Sequence, residues 1–454
     1  MESIVCKFGG SSVANAKQIK KVTEIIKANL NRKYVVVSAP GKDEQDSEKV
    51  TDHLFNIAKA GNHFKSKKKN ITGEESYNAV IQKFTRLIND LGIDGEDILQ
   101  DLSNDLKKIL PDPQKNDFFA SRGEHYNAKV ISRYFNKVGI ASELALPEDI
   151  GFIVSEDFNN AKVVPVTYKN ISSLSEKSGV IVIPGYYGIT EKGDIAVFSR
   201  GGSDLTGGEV AYAMNASLYE NWTDTDGVFQ IDPRLIPDAE VIPRLTYKEI
   251  RLLSSKGFNV FHFDAMVNCK KRHIPINIKN TNNPATPGTL IVSERIPEET
   301  VVGIARLDDI AYLYVEKDGA GETIGFVNDL LRIMKDFGIE TYHYPTDKDD
   351  VSIIFKQADL KGYEDDLKDT IQARLNPDNI ELNYNITMLS PVGIGMKDQP
   401  GVIAVASTAL KEKNINIEII DQGPAQISFH FGVHKYHADM ALKALYEALC
   451  RKGL

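Results

Sequence analysis

Ile4-Val5-Cys6-Lys7-Phe8-Gly9-Gly10-Ser11-Ser12 is the stretch from which the fold of this 454-residue chain is read. Residues 4–8 form an apolar run broken only by Lys7, the pattern of a buried strand. Gly9 and Gly10 allow a sharp turn and a close approach of backbone to ligand. A helical pattern starts near Asn15. Amides at a glycine turn that feeds a helix make an anion site, and Lys7 sets a full positive charge beside it. Together these residues suggest a cradle for a transferred phosphate. Gly-Gly alone is equally an ordinary tight turn.

Outward from this turn, residues 4–38 read as strand, helix, strand. The second strand, 34–38, is closed by Ala39-Pro40-Gly41. This is an α/β start with parallel strands. Residues 47–134 are mostly helical, with Asp117 placed as the N-cap of the helix that carries Arg122 and Glu124. Strands return at 142–146, 180–184 and 195–199. The turn Arg200-Gly201-Gly202-Ser203-Asp204 opens a helix to about Met214. Strands at 218–222 and 275–279 follow, the latter expected to be the last of a large α/β domain. Pro284, Pro287 and Pro297 place a boundary nearby.

The last third holds an internal repeat with an offset of 76 residues. It carries Gly325 to Gly401, Met334 to Leu410, Ile339 to Ile415 and Phe355 to Phe431 without a gap. Each copy reads strand, helix, strand, strand, a small α/β sandwich that packs sheet edge to sheet edge.

With 42% hydrophobic and 26% charged residues, the chain has an ordinary globular composition. A net charge of −9 argues against a nucleic-acid surface. The run Lys67-Lys68-Lys69, followed by Glu74 and Glu75, reads as a solvated loop. Three scattered cysteines fit a reducing compartment. The N-terminus enters a strand directly, without a signal-peptide pattern. No apolar run approaches the ~18 residues that span a membrane. A cytoplasmic protein with no membrane or nucleic-acid partner is expected.

No Walker-type loop occurs. Asp336-Phe337-Gly338 matches a protein-kinase signature by letters, but it closes an amphipathic helix, where Gly338 is a natural C′ residue. His430, His434 and His437 lack an accompanying ligand set. They read as a surface strand and turn, and no metal site is expected. The second glycine turn is more informative. Arg200 can fork onto a carboxylate and Asp204 can position Lys7 or help hold a metal-bound phosphate; equally, Asp204 can cap its helix and Arg200 lie on the surface. Thr223-Asp224 and Asp232-Pro233-Arg234 follow a third strand and suit a nucleotide. Glu124 can meet an ammonium group or lie exposed on its helix.

These motifs, in this order, resemble the aspartokinases of the amino acid kinase family. The resemblance rests on Lys7-Phe8-Gly9-Gly10-Ser11-Ser12, Ser121-Arg122-Gly123-Glu124, Ser199-Arg200-Gly201-Gly202-Ser203-Asp204 and Trp222-Thr223-Asp224. Asp232-Pro233-Arg234 and Asn280-Thr281-Asn282-Asn283-Pro284 extend it, and the repeat resembles the family's paired ACT domains. It implies an amino acid kinase-like three-layer sandwich with a mainly parallel sheet at 1–297. Two ferredoxin-like ACT domains would follow at 298–380 and 381–454. It implies phosphorylation of L-aspartate to 4-phospho-L-aspartate by ATP with Mg²⁺, the first step of lysine, threonine and methionine biosynthesis. Lys7, Gly9, Gly10 and Asp204 would serve catalysis. Thr51, Glu124, Arg200 and Ser203 would bind aspartate, with Glu124 on its ammonium and Arg200 on its α-carboxylate. Lys7, Ser38, Thr223, Asp224, Phe229 and Arg234 would hold ATP. The loop with Asp318, Gly321, Glu322 and Gly325 would bind a feedback amino acid, lysine or threonine or both, with lysine preferred on family frequency. A homodimer or dimer of dimers through the ACT units is implied.

Two departures stand out. Phe229 replaces a frequent tyrosine, and Asn259 replaces a frequent lysine. Residues 42–49 form a longer, more acidic insert than usual. The competing readings are a kinase of glutamate, acetylglutamate, carbamate or UMP, and a catalytically silent amino-acid sensor.

Overall fold

The computed structural model describes residues 2–60, 73–199, 201–254 and 264–451. Lys67–Lys69, Arg200 and Asn259 lie outside the described residues. The described parts of Met1–Val228, Val241–Tyr247 and Asn259–Arg295 form one unit. Those of Phe229–Glu240, Lys248–Phe258 and Ile296–Leu454 form another.

In the first unit, β1 (Ile4–Phe8) is buried along its whole length. It pairs in parallel with β2 (Arg32–Val37) on one side and with β7 (Leu218–Thr223) on the other. With β3 (Ser142–Leu144), β4 (Val180–Pro184), β8 (Arg244–Thr246), β9 (Ile276–Asn280) and β10 (Thr289–Val292) it makes an eight-stranded sheet of order β3-β4-β2-β1-β7-β9-β10-β8. Only the β9–β10 pairing is antiparallel. β5 (Tyr187–Ile189) and β6 (Ile195–Val197) form a separate hairpin. β8 and β10 extend the sheet beyond the strand expected to be last, because three- and four-residue strands give too little pattern to read.

Alternation on β1 decides the layers. Cys6 and Phe8 join a core with the helices Ala16–Lys27, Val50–Ala60, Gly73–Leu91, Glu96–Leu106 and Gln114–Lys137. Lys7 projects to the opposite face, where the helix Gly202–Ala213 packs. The first helix starts where expected. Asn15 accepts from the Gln18 amide at 3.1 Å, a cap worth about 1 kcal/mol. Buried Glu220 locks three neighbouring strands by accepting from Arg32, Trp222 and Cys6. Burial and this carboxylate push the Cys6 thiol far up, which leaves it an inert packing group.

Asp117 is not the cap of its helix. The helix begins at Gln114, and the fully buried Asp117 carboxylate instead accepts from the amides of Asn159 and Val197, each at 2.8 Å. It joins distant loops to the helix, a role that local sequence does not encode.

The second unit contains β11 (Gly303–Glu316), β12 (Thr341–His343), β13 (Asp350–Lys356), β14 (Asn379–Val392), β15 (Ile419–Asp421) and β16 (His430–His434), in the order β12-β13-β11-β14-β16-β15. Helices Phe326–Asp336 and Val402–Glu412 stand 76 residues apart, each entered through a glycine at φ near +90°. Gly338 adopts φ +71° behind the first of them, as a C′ residue does. The inner edges of the repeats pair with each other within the chain, β11 against β14. Residues 303–307 of β11 pair with 388–392, while 310–316 pair with 379–386. The start of β11 thus lies on the sheet of the second repeat, and the division at 380/381 falls inside β14. Asp309 and Asn385 take positive φ where the pairing shifts. His434 is exposed as expected, but His430 is buried, because β16 lies inside the sheet and not at its rim.

Candidate active site

The candidate residues of the first unit gather at the carboxyl ends of its parallel strands, where open α/β sheets bind ligands. Lys7 is the penultimate residue of β1, Ser38 follows β2, Gly185 follows β4, Thr223 ends β7 and Asp224 follows it. The Lys7 ammonium lies 2.5 Å from Asp204 Oδ1, with side chains only 10% and 15% exposed. Asn221, on β7, donates its amide to the same Asp204 oxygen at 2.8 Å, and the Tyr219 hydroxyl donates to the Asp204 carbonyl at 3.1 Å. Asp204 is therefore held from two sides and in turn fixes Lys7.

Glu124 enters from the helix Gln114–Lys137. It is 5% exposed, and its Oε2 is buried without a hydrogen-bond partner. Burial pushes its carboxyl up to about 8, against the smaller opposing influence of the Ala39 amide, the Lys7 charge and the Ser203 hydroxyl. A buried carboxyl with an unsatisfied oxygen can accept a further donor such as an ammonium group. The Ser203 hydroxyl lies against the same carboxyl. A Cβ on Gly185 would come within 2.7 Å of the Ser203 side chain. Next to Gly185, Tyr186 holds φ +76°, the kind of local strain that gathers at functional sites.

Gly9 and Gly10 play different parts. The Gly9 amide donates to the Trp222 carbonyl at 3.0 Å, so it is occupied by the fold and does not face a phosphate. A Cβ there would stand 3.6 Å from Lys7 Nζ, an ordinary contact, so the turn lies directly against the ammonium. Gly10 opens the 3₁₀ turn Gly10–Val13, and its carbonyl accepts from the Gly41 amide at 3.0 Å. A Cβ on Gly41 would meet the Gly10 carbonyl carbon at 2.7 Å. Both loops are backbone at this contact, so neither can swing aside. Gly41→Ala is expected to lower melting temperature by the equivalent of about 1–3 kcal/mol and to cut kcat/KM. Gly423→Ala, where a Cβ meets nothing within 4 Å, should do neither. Equal behaviour of the two variants would contradict the interlock.

A model of the amino acid kinase family matches residues 2–280. The chain belongs to the amino acid kinase family. An ACT domain model matches residues 389–449. The chain is 37% identical over 450 residues to aspartokinase 3 of Bacillus subtilis, covering 98% of each. It is 34% identical to the crystal structure of Clostridium acetobutylicum aspartate kinase, with a TM-score of 0.87 over 98% of this chain and 100% of that one. It shares the fold of E. coli aspartokinase III, solved with aspartate and ADP, at 19% identity and a TM-score of 0.75 over 99% and 100% of the two chains. The resemblance read from the motifs is thereby borne out.

Within this kinase family fold, Lys7, Gly9, Gly10, Glu124, Ser203 and Asp204 come together, with Ser38 on the adjoining loop. Ser38 accepts at its carbonyl from the Asn127 side chain at 2.7 Å. Thr51 is half-buried on the helix Val50–Ala60, which reaches the Glu124 helix at Gly123. Thr223 donates to Asp224 at 3.1 Å. Ser12 accepts from Thr281 and contacts the Trp222 carbonyl, so it frames the turn. Arg122 is turned away from the site, paired with Asp105 at 3.0 Å. Phe229 and Arg234 belong to the second unit. Phe229 packs on its core and exposed Arg234 folds back onto Asp232. Asn127, Asn221, Tyr186 and Gly41 were not singled out as site residues from the sequence, where Gly41 only closes a strand. Asn127 carried one usable signal, its i,i+3 spacing from Glu124 on one helix face.

In the second unit the loop amides expected to receive an effector are already engaged. Those of Asp318, Gly319 and Gly321 donate to Asp378, Asp349 and the Lys348 carbonyl. Glu322 pairs with Lys348 at 3.2 Å. The helix entered through Gly325 has no side-chain cap; its first amide donates to the Thr323 carbonyl at 3.2 Å, and the amides that follow it remain the better anion site of this loop.

Proposed function

We propose that the chain transfers the γ-phosphoryl group of ATP to the side-chain carboxylate of L-aspartate, giving ADP and 4-phospho-L-aspartate. The observation that carries this reading is the pairing of Lys7 with Asp204 beside the unsatisfied, buried Glu124. Glu124 receives the aspartate ammonium, which supplies the partner its Oε2 lacks. Arg200 is assigned to the α-carboxylate from the motif alone. The acceptor carboxylate is already ionised near neutral pH, with an ordinary pKa of about 3.9, so no general base is needed. Lys7, kept in place by Asp204, neutralises charge on the transferring group, and the Gly10 turn presents its amides to it. Ser38, Thr223 and Asp224 line the nucleotide side. Mg²⁺ carried on ATP would supply further charge neutralisation between the two anionic reactants. A coupled ADP-release assay with aspartate, glutamate, acetylglutamate, carbamate and UMP tests the assignment. Aspartate should be the strongly preferred acceptor, and preference for another acceptor contradicts it.

The catalytic part is assigned to residues 1–297, and residues 298–454 to regulation through two ACT units. The amino-acid effector binds at the start of the helix after Gly325, near Asp318, Gly321 and Glu322. Lysine is the first choice, threonine the second. The enzyme is a homodimer or dimer of dimers through the ACT units, where β12 and β15 end the sheet. Unpaired edges of this kind recruit partners. No helix among the described residues is long and apolar enough to cross a membrane, and a cytoplasmic location is proposed. Lysine or threonine at subsaturating aspartate should shift apparent affinity by roughly 5- to 150-fold, the range of ordinary allosteric coupling. Rates unchanged by either amino acid, alone or combined, would contradict the regulatory assignment.

A further inference from the structure

We propose that His343, Asp421 and His430 form a binding site for a divalent transition metal of the zinc class, tying the two repeats of the second unit together. The three side chains offer ligand atoms that all lie within 4.8 Å of one another. His343 Nδ1 is 2.8 Å from Asp421 Oδ2, and the two imidazole rings stand 4.6 Å apart. His430 is 4% exposed, and its Nδ1 meets the hydroxyl of buried Ser390 at 2.8 Å. Such an outer contact fixes the ring and tautomer of a ligating histidine. Two imidazoles and a carboxylate, completed by water, suit zinc and its neighbours in the first transition row.

The surroundings make this trio unusual. It borders a small apolar cluster of Ile310, Ile354, Ile386 and Met388, with Tyr342 and Ile419 packed on it. Strand pairing sets His343 opposite Ile354 in the first repeat and Asp421 opposite His430 in the second. The 76-residue offset carries Ile354 to His430. It carries His343 to Ile419, so the two repeats place their polar side chains differently and the set is not a repeated feature. Each repeat supplies part of the set, so occupancy clamps the repeats to each other. His343 and Asp421 retain 20% and 33% exposure, which leaves a path for a hydrated ion.

The test uses the full chain, stripped with chelator and titrated with Zn²⁺ and with Co²⁺ as a spectroscopic probe. The wild type should bind one ion per chain, show the visible bands of nitrogen- and oxygen-ligated Co²⁺, and melt at a higher temperature with Zn²⁺. Asp421→Asn, partly exposed and nearly isosteric, should weaken binding at least about tenfold and lose the thermal shift, since each ligand contributes strongly to affinity. His343→Ala should do the same. Failure of the wild type to bind a stoichiometric ion, or binding unchanged in both variants, overturns the proposal. Neither outcome depends on kinase activity.

Discussion

Lys7→Ala is expected to lower kcat by about 10²- to 10³-fold, the usual loss when one preorganised donor to a transition state is removed. The effect should fall on kcat because the ammonium acts on charge that shifts during transfer. The fold should survive. Asp204 keeps the Asn221 amide as a hydrogen-bond partner, and the strand around position 7 is held by its parallel neighbours on both sides. Steady-state kinetics with a circular-dichroism check decides it. A fall in kcat of less than about tenfold, which is ~1.4 kcal/mol, would show that Lys7 does not act on the transferring group.

Glu124→Gln should separate stability from function. The wild-type carboxyl sits at about 8 in the folded chain and at about 4.3 in an unfolded one. The folded state thus binds the extra proton between these values, and stability falls as pH rises through that window. The shift corresponds to a penalty of order a few kcal/mol above pH 8. Gln carries no such penalty, so the melting temperature of the ligand-free variant should exceed that of the wild type most at pH 8. The advantage should shrink toward pH 5. At the same time KM for aspartate should rise about a hundredfold, because a neutral amide cannot replace a carboxylate opposite an ammonium in a buried site. Parallel melting profiles would refute the buried-carboxyl assignment, and an unchanged KM would refute the ammonium contact. Below pH 8, aspartate binding should also release a proton from Glu124. Calorimetry in buffers of different ionisation enthalpy measures that release.

Much of this was legible because the informative residues are local. A strand, a glycine turn and a helix lie within 30 residues around Lys7, and the turn before Asp204 repeats the device. The 76-residue register was visible because the helices entered at Gly325 and Gly401 have the same length and the same left-handed entry. What stayed hidden depends on long-range pairing. Asn221 reaches Asp204 only because β7 lies beside β1. Asp117 serves loops around positions 159 and 197 and not its own helix. The exchange of residues 303–307 onto the second repeat follows from the β11–β14 register, which no local pattern announces. His430 was read as exposed because it was grouped with His434 and His437, while its neighbours in space are Ser390 and His343.

The most direct measurement of the central claim is chemical trapping of the product. Acyl phosphates react with hydroxylamine to give hydroxamates, whereas phosphate esters do not. With ATP, Mg²⁺, L-aspartate and hydroxylamine, the enzyme should form aspartyl hydroxamate in step with ADP, one for one, and Lys7→Ala should slow both equally, by about 10²- to 10³-fold. ADP released without hydroxamate would contradict the transfer of phosphate to the aspartate carboxylate.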